Sequence, residues 1–142
     1  MDLPTTRSIR IKEEILKSKF FRIAREQMFQ SDHHVRMGAV MVISNKQYIP
    51  AHNHLNKTHP IIERHYPEFV QSIHAELNAL IRYNEVRHGK LPKRTSMYVY
   101  REEKNGTVKL AKPCKTCEKL MREAGIKKVF YSTDTGIKME IL

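Results

Sequence analysis

Tryptophan is absent from this chain of 142 residues, cysteine occurs twice and glycine five times. Two cysteines close at most one disulfide, so a cysteine-stapled scaffold is excluded and the fold must rest on a packed core. No run of roughly eighteen apolar residues occurs, which leaves no candidate for a membrane-spanning helix. The first residues, Met1 to Arg7, hold no apolar stretch, so no signal peptide is expected. Acids are also scarce, with 15 Asp and Glu against 26 Lys and Arg, a formal net charge of +11 and a pI of about 9.8. That excess attracts polyanions, yet it serves a small anionic ligand or plain solubility equally well. Single-strand binders usually add exposed aromatics. Here the Tyr and Phe residues fall mostly on expected core faces, with Tyr66 and Phe69 as exceptions.

What is present suffices for one domain spanning 1–142, since a chain of this length with 40% hydrophobic residues can bury well over half of its unfolded surface. Ile11, Ile15, Phe20, Ile23, Ala24 and Met28 recur at helical spacing and predict one amphipathic helix from about Lys12 to Phe29. Residues 38–44 and 47–51 read as an antiparallel strand pair turning at Asn45-Lys46. A helix is expected from Ser72, as N-cap, to about His88 and Gly89. Further strands are expected at 97–101, 108–111 and 128–132, and the alternating tail 135–142 suggests a last short one. Helices interleaved with strands imply an α/β fold: a three-layer sandwich whose mixed sheet of about five strands is flanked by helices.

The chemistry-bearing residues fall in two places. Cys114 and Cys117, the only cysteines, follow Pro113 where a helix is expected to start and run to Gly125. Both sulfurs then share the first turn, where free N–H groups and the helix dipole favour thiolate. His74-Ala75-Glu76 lies at the other expected helix start. Taken alone, the Cys-x-x-Cys pair could be a redox pair, half of a structural zinc site or two buried thiols. Jointly, His74, Cys114 and Cys117 supply three ligands and leave zinc a fourth position for water, the arrangement of a catalytic site. Glu76, two positions from His74, is better placed to handle that water's protons than to bind the metal. Such a set suits hydrolytic removal of ammonia from an amidine-like carbon.

The pattern His74-Ala75-Glu76 with Pro113-Cys114-x-x-Cys117 resembles the zinc-dependent cytidine and deoxycytidylate deaminase superfamily. Gly38 to Ile43, Ala51-His52-Asn53, Met97 to Tyr100 and Gly125 to Ser132 resemble the family's strand segments. The resemblance implies a cytidine-deaminase-like sandwich, zinc on His74, Cys114 and Cys117, and Glu76 as proton shuttle. It further implies that Asn53 lies beside the substrate's sugar and base, and that the backbone at Ala75 helps hold the base. Homo-oligomers are common among such relatives. With both cysteines committed as thiolates, a reducing, cytoplasmic setting is expected.

Substrate choice is less marked. Lys112 stands where deaminases of tRNA adenosine or guanine commonly carry glutamate, and His54-Leu55-Asn56-Lys57 replaces the glycine-containing loop common in deoxycytidylate deaminases. Deoxycytidylate, converted to deoxyuridylate, is the expected substrate among free cytosine nucleotides and nucleosides. The alternative is cytosine in single-stranded DNA or a base in RNA, favoured by the +11 charge and the basic strip of Lys90, Lys93 and Arg94. The stretch from Asn53 to Gln71, with His54, Lys57, His59, Arg64, His65 and Tyr66, is the expected pocket wall. Its histidines, His52, His54, His59 and His65, with His33 or His34, raise the question of a second metal, against a polar loop whose imidazoles bond backbone or substrate.

Overall fold

The computed structural model of the protein describes residues 2–55, 72–86 and 91–142. Its centre is a five-stranded sheet in which Tyr48–His52, Gly38–Val42, Ser96–Tyr100, Lys128–Thr133 and Gly136–Ile141 lie side by side in that order. The strands are β1 (Gly38–Val42), β2 (Tyr48–His52), β5 (Ser96–Tyr100), β6 (Lys128–Thr133) and β7 (Gly136–Ile141). β5 and β6 run parallel, while β1 pairs antiparallel with both β2 and β5, and β7 antiparallel with β6. The sheet is therefore mixed, as expected. A two-stranded ribbon, β3 (His54–Leu55) with β4 (Ser72–Ile73), stands apart from it.

Strand periodicity sorts the core into two layers. Ala39, Met41, Met97, Val99, Val129 and Tyr131 point to one face. There they meet Ala75, Ala79 and Tyr83 of α3 (Ala75–Val86) and Met121 of α4 (Lys115–Ala124). Val40, Val42 and Tyr100 point to the other, against Ile15 of α1 (Thr6–Ile15) and Phe21, Ala24 and Met28 of α2 (Lys19–Met28). Helices on both faces of a mixed sheet make the three-layer sandwich.

One long helix over 12–29 does not form. Thr5 caps a helix starting earlier, and the chain breaks at Leu16-Lys17-Ser18, where Ser18 accepts from the Phe21 N–H (3.4 Å) and opens α2. Arg22 secures the break by donating to the carbonyls of Leu16 (2.9 Å) and Lys17 (3.0 Å), orphaned at the end of α1. The strand expected at 108–111 is reduced to a bridge between Glu102 and Val108. Ala111 N–H donates instead to Ser132 O (2.9 Å), which lays this segment along β6 on its way to the cysteines.

Two points lock α2 and α1 to the sheet. Gly38 passes so close to α2 that a Cβ there would stand 1.8 Å from Ala24 O. Glu102, buried just beyond β5, is held by Arg25 through both carboxylate oxygens (3.0 and 3.3 Å), by Lys12 (3.3 Å) and by the Tyr100 hydroxyl.

Candidate active site

The histidine half is built by a change of structure within three residues. Ser72 and Ile73 are extended, with His54 opposite Ile73 and Leu55 opposite Ser72. His74 follows, and its carbonyl accepts from Asn78 N–H (2.9 Å) as the first bond of α3. Ser72 is thus not the N-cap; ribbon pairing keeps it extended and moves the helix start to Ala75. The consequence is chemical, because His74 stands at the N-cap place and Glu76 in the first turn. Asn78, one turn on, donates to His52 O (2.9 Å) and ties this helix start to the end of β2.

The cysteine half follows the expected plan closely. Cys114 is the N-cap of α4, its Sγ accepting from the Cys117 N–H (3.4 Å), and Gly125 ends the helix at φ 100°, a left-handed conformation that glycine adopts without steric cost. Leu77 and Ile81 of α3 pack against Cys117 and Leu120 of α4. That contact brings two helix N-termini to one point.

Cys117 Sγ lies 3.4 Å and Cys114 Sγ 3.8 Å from His74 Nδ1, and the three potential ligand atoms fall within 4.8 Å of one another. Cys117 is buried, His74 half-buried and Cys114 exposed, so the cluster opens toward solvent on one side. Among the described residues no other His, Cys, Asp or Glu cluster gathers closely enough to hold a metal. His33 Nδ1 accepts from Val35 N–H (2.9 Å), His52 Nδ1 meets Gln27 Oε1 (3.1 Å), and His54 faces Asp32 at 3.9 Å. Of the histidine-rich stretch, His59 and His65 lie outside the described residues, as do Lys57, Arg64 and Tyr66.

Electrostatics divide the two thiols. Cys114 is pushed down to about 4, first by the Cys117 thiol that donates to it and then by His74, so it is the thiolate. Cys117 is held up by donating to Cys114 and by burial. His74 is raised, chiefly by its bond to Cys114. Burial raises the Glu76 carboxyl, only 2% exposed, while its own backbone N–H and His74 pull the other way. Its Oε1 is buried and meets no hydrogen-bond donor among the described residues. An orphaned carboxylate oxygen costs about 1–3 kcal/mol and calls for a donor. Two sulfurs and an imidazole suit zinc, and the orphaned oxygen beside them suits a water that the metal would bring.

Asn53 is buried at the bend between β2 and β3. Its Oδ1 accepts from Ser31 Oγ (2.6 Å) and Met37 N–H (2.9 Å), and its Nδ2 donates to Val35 O (2.7 Å). The amide therefore pins the segment after α2 against the bend. Ala75, fully buried, opens α3. Composition and spacing single out neither Ser31 nor Asp32, whose carboxylate accepts from Leu55 N–H (2.9 Å); their roles arise from tertiary contacts. Asn78 did carry a signal, a polar residue in an otherwise apolar helical run one turn after His74.

Residues 14–133 match the family described as the cytidine and deoxycytidylate deaminase zinc-binding region. The chain belongs to this deaminase family. No curated protein matches it in sequence. Among solved structures, a cytidine deaminase from Burkholderia pseudomallei is similar with a TM-score of 0.63 at 16% identity, over 86% of this chain and 89% of the other. The dCMP deaminase of cyanophage S-TIM5 is similar at 0.57 and 20%, covering 83% and 82%, and the cytidine deaminase of Mycobacterium leprae at 0.55 and 15%, covering 84% and 89%. The fold is that of these deaminases, and the family makes the chain a zinc-dependent hydrolytic enzyme. His74, Cys114 and Cys117 are the residues that could hold the metal.

Proposed function

We propose that this deaminase releases ammonia from the cytosine ring of a free nucleotide, with deoxycytidylate, converted to deoxyuridylate, as its substrate. The observation that carries the reading is the orphaned Oε1 of buried Glu76 beside the His74, Cys114 and Cys117 cluster. Bound there, zinc would supply Lewis acidity and lower the pKa of a water to roughly 7. Glu76 would take a proton from the attacking water as the water's oxygen adds to C4, and hand that proton to the ring nitrogen. The carboxylate then carries the second proton to the exocyclic amine, the C4–N bond breaks, and ammonia leaves with the uracil form behind. A carboxyl raised by burial suits this work, because it can hold a proton between the two transfers.

Ala75 contributes backbone beside Glu76 and His74 at the base. Asn53 belongs to the sugar side, where it also fixes the loop before β1 through its bonds to Ser31 and Met37. The solved cyanophage dCMP deaminase complex with dCMP and dUMP supports a monophosphate, as does the basic balance of this chain. Incubating zinc-loaded protein with cytidine, deoxycytidine and their monophosphates tests the reading. Ammonia release fastest from deoxycytidylate is expected; a zinc-loaded protein that turns over none of the four overturns it.

The +11 charge favours a second reading, deamination within single strands. Oligonucleotides carrying cytosine would then be converted, and conversion would fall steeply with salt. Oligonucleotides left unchanged at low salt remove this reading.

A further inference from the structure

A cavity lies on the face of the sheet opposite α3 and α4, at the end away from the metal cluster. The register places Tyr100, Gly38 and His52 side by side at the end of the sheet that leads to the metal cluster. The cavity, about 690 Å³, opens instead where β5 and β6 begin, between Ser96 and Lys128. Its floor is Tyr98 and Phe130, neighbours on the two parallel strands, stacked with centroids 4.7 Å apart and planes 16° from parallel. Tyr98 is backed by Phe20 (5.3 Å) and Phe21 (5.2 Å) of α2, so the floor is anchored in the core. Both floor residues remain half-exposed although each packs against the apolar cluster of α1 and α2.

The rim is cationic. Lys93 and Arg94 stand before β5 and Lys127 and Lys128 at the start of β6, all four exposed, and no acidic residue lines the cavity among the described residues. None of the four has an ion pair among the described residues. Two pairs of cations flanking an aromatic platform on adjacent strands match a strand of successive phosphates with unstacked bases. A second copy of this chain, itself at +11, would bring like charge to the same rim.

We propose that this cavity attaches single-stranded nucleic acid, its phosphates meeting Lys93, Arg94, Lys127 and Lys128 and its bases stacking on Tyr98 and Phe130. The attachment is separate from the metal cluster and does not depend on which base the enzyme deaminates.

Fluorescence anisotropy of labelled twelve-residue oligo(dT) and oligo(U), titrated with the zinc-loaded protein across a salt series, tests it. Wild type should bind at low salt and weaken steeply as salt rises. K127E/K128E should weaken binding tenfold or more and lower the salt slope by about 1.4, and Phe130→Ala should weaken it by about fivefold or more. R7E/R10E on α1, an equal change of charge at an exposed site, should stay within about twofold. The kcat for a free nucleotide should be unchanged in K127E/K128E, and unchanged zinc content and melting temperature show that this variant is folded. Equal loss in R7E/R10E would reduce the binding to bulk charge and overturn the proposal. So would free CMP competing as well as the oligonucleotide, which marks a mononucleotide site, or a self-associated protein that Phe130→Ala disperses. Binding is read without turnover, so its failure is distinct from failure of the deaminase reading.

Discussion

In the proposed mechanism Glu76 carries the largest chemical burden of any single side chain, and its surroundings bear on why a carboxylate is tolerated there. Burial and an unmet Oε1 both destabilise it as an anion, costs that a water held by zinc would offset. Glu76→Gln should keep zinc and the melting temperature while lowering kcat by about 10²–10⁴-fold. His74→Ala and Cys114→Ala should lose zinc as well, as read by metal analysis. The thiols make a separate prediction. Cys117 is held up by donating to Cys114, so it retains its proton at neutral pH until metal displaces it. Calorimetry of zinc binding in buffers of different ionisation enthalpy should therefore show net proton release at pH 7, and affinity should fall as the pH drops. Binding with no proton exchange would mean that both sulfurs were already thiolate. Away from the site, Glu102→Ala should destabilise by about 3 kcal/mol in urea unfolding, because Arg25 and the Tyr100 hydroxyl lose a buried anionic partner.

Among the elements, the start of α4 was the most legible from sequence, and for a physical reason. A proline before Cys114 and a glycine at 125 bound a helix whatever surrounds it, so α4 starts and stops where local chemistry dictates. The start of α3 was displaced from Ser72 because a two-residue ribbon pairs Ser72 with Leu55, a contact that no local pattern reveals. The break between α1 and α2 escaped for a similar reason, since apolar spacing continues through it while Arg22 and Ser18 make the interruption. Alternation along the strands puts Tyr98 and Phe130 on one face, but it could not tell that both stay half-exposed beside α2. Much of the expected pocket wall, residues 56–71, lies outside the described residues. At Gly38 the packing of α2 on β1 is strict, since a Cβ would strike the Ala24 carbonyl at 1.8 Å. Gly38→Ala should lower the melting temperature by several degrees or prevent soluble expression, and an unchanged melt would mean that α2 can shift away without cost.

On the scale of the whole molecule, the protein places its chemistry at one end of the sheet and an aromatic, cationic cavity at the other. No helix of the described residues is long and apolar enough to cross a membrane. The surplus of 26 basic over 15 acidic residues gives the molecule a positive field, which raises the local concentration of small anions and strengthens at low salt. The KM for a nucleotide monophosphate should accordingly rise with ionic strength more than that for the uncharged nucleoside. The most direct measurement of the central claim is ammonia release by zinc-loaded wild type and zinc-loaded Glu76→Gln, each given deoxycytidylate with metal content determined on the same samples. Rapid release by the wild type and a loss of about 10²-fold or more in a variant that still holds zinc is the predicted result. Equal rates in the two, or no release by a wild type carrying one zinc per chain, would contradict it.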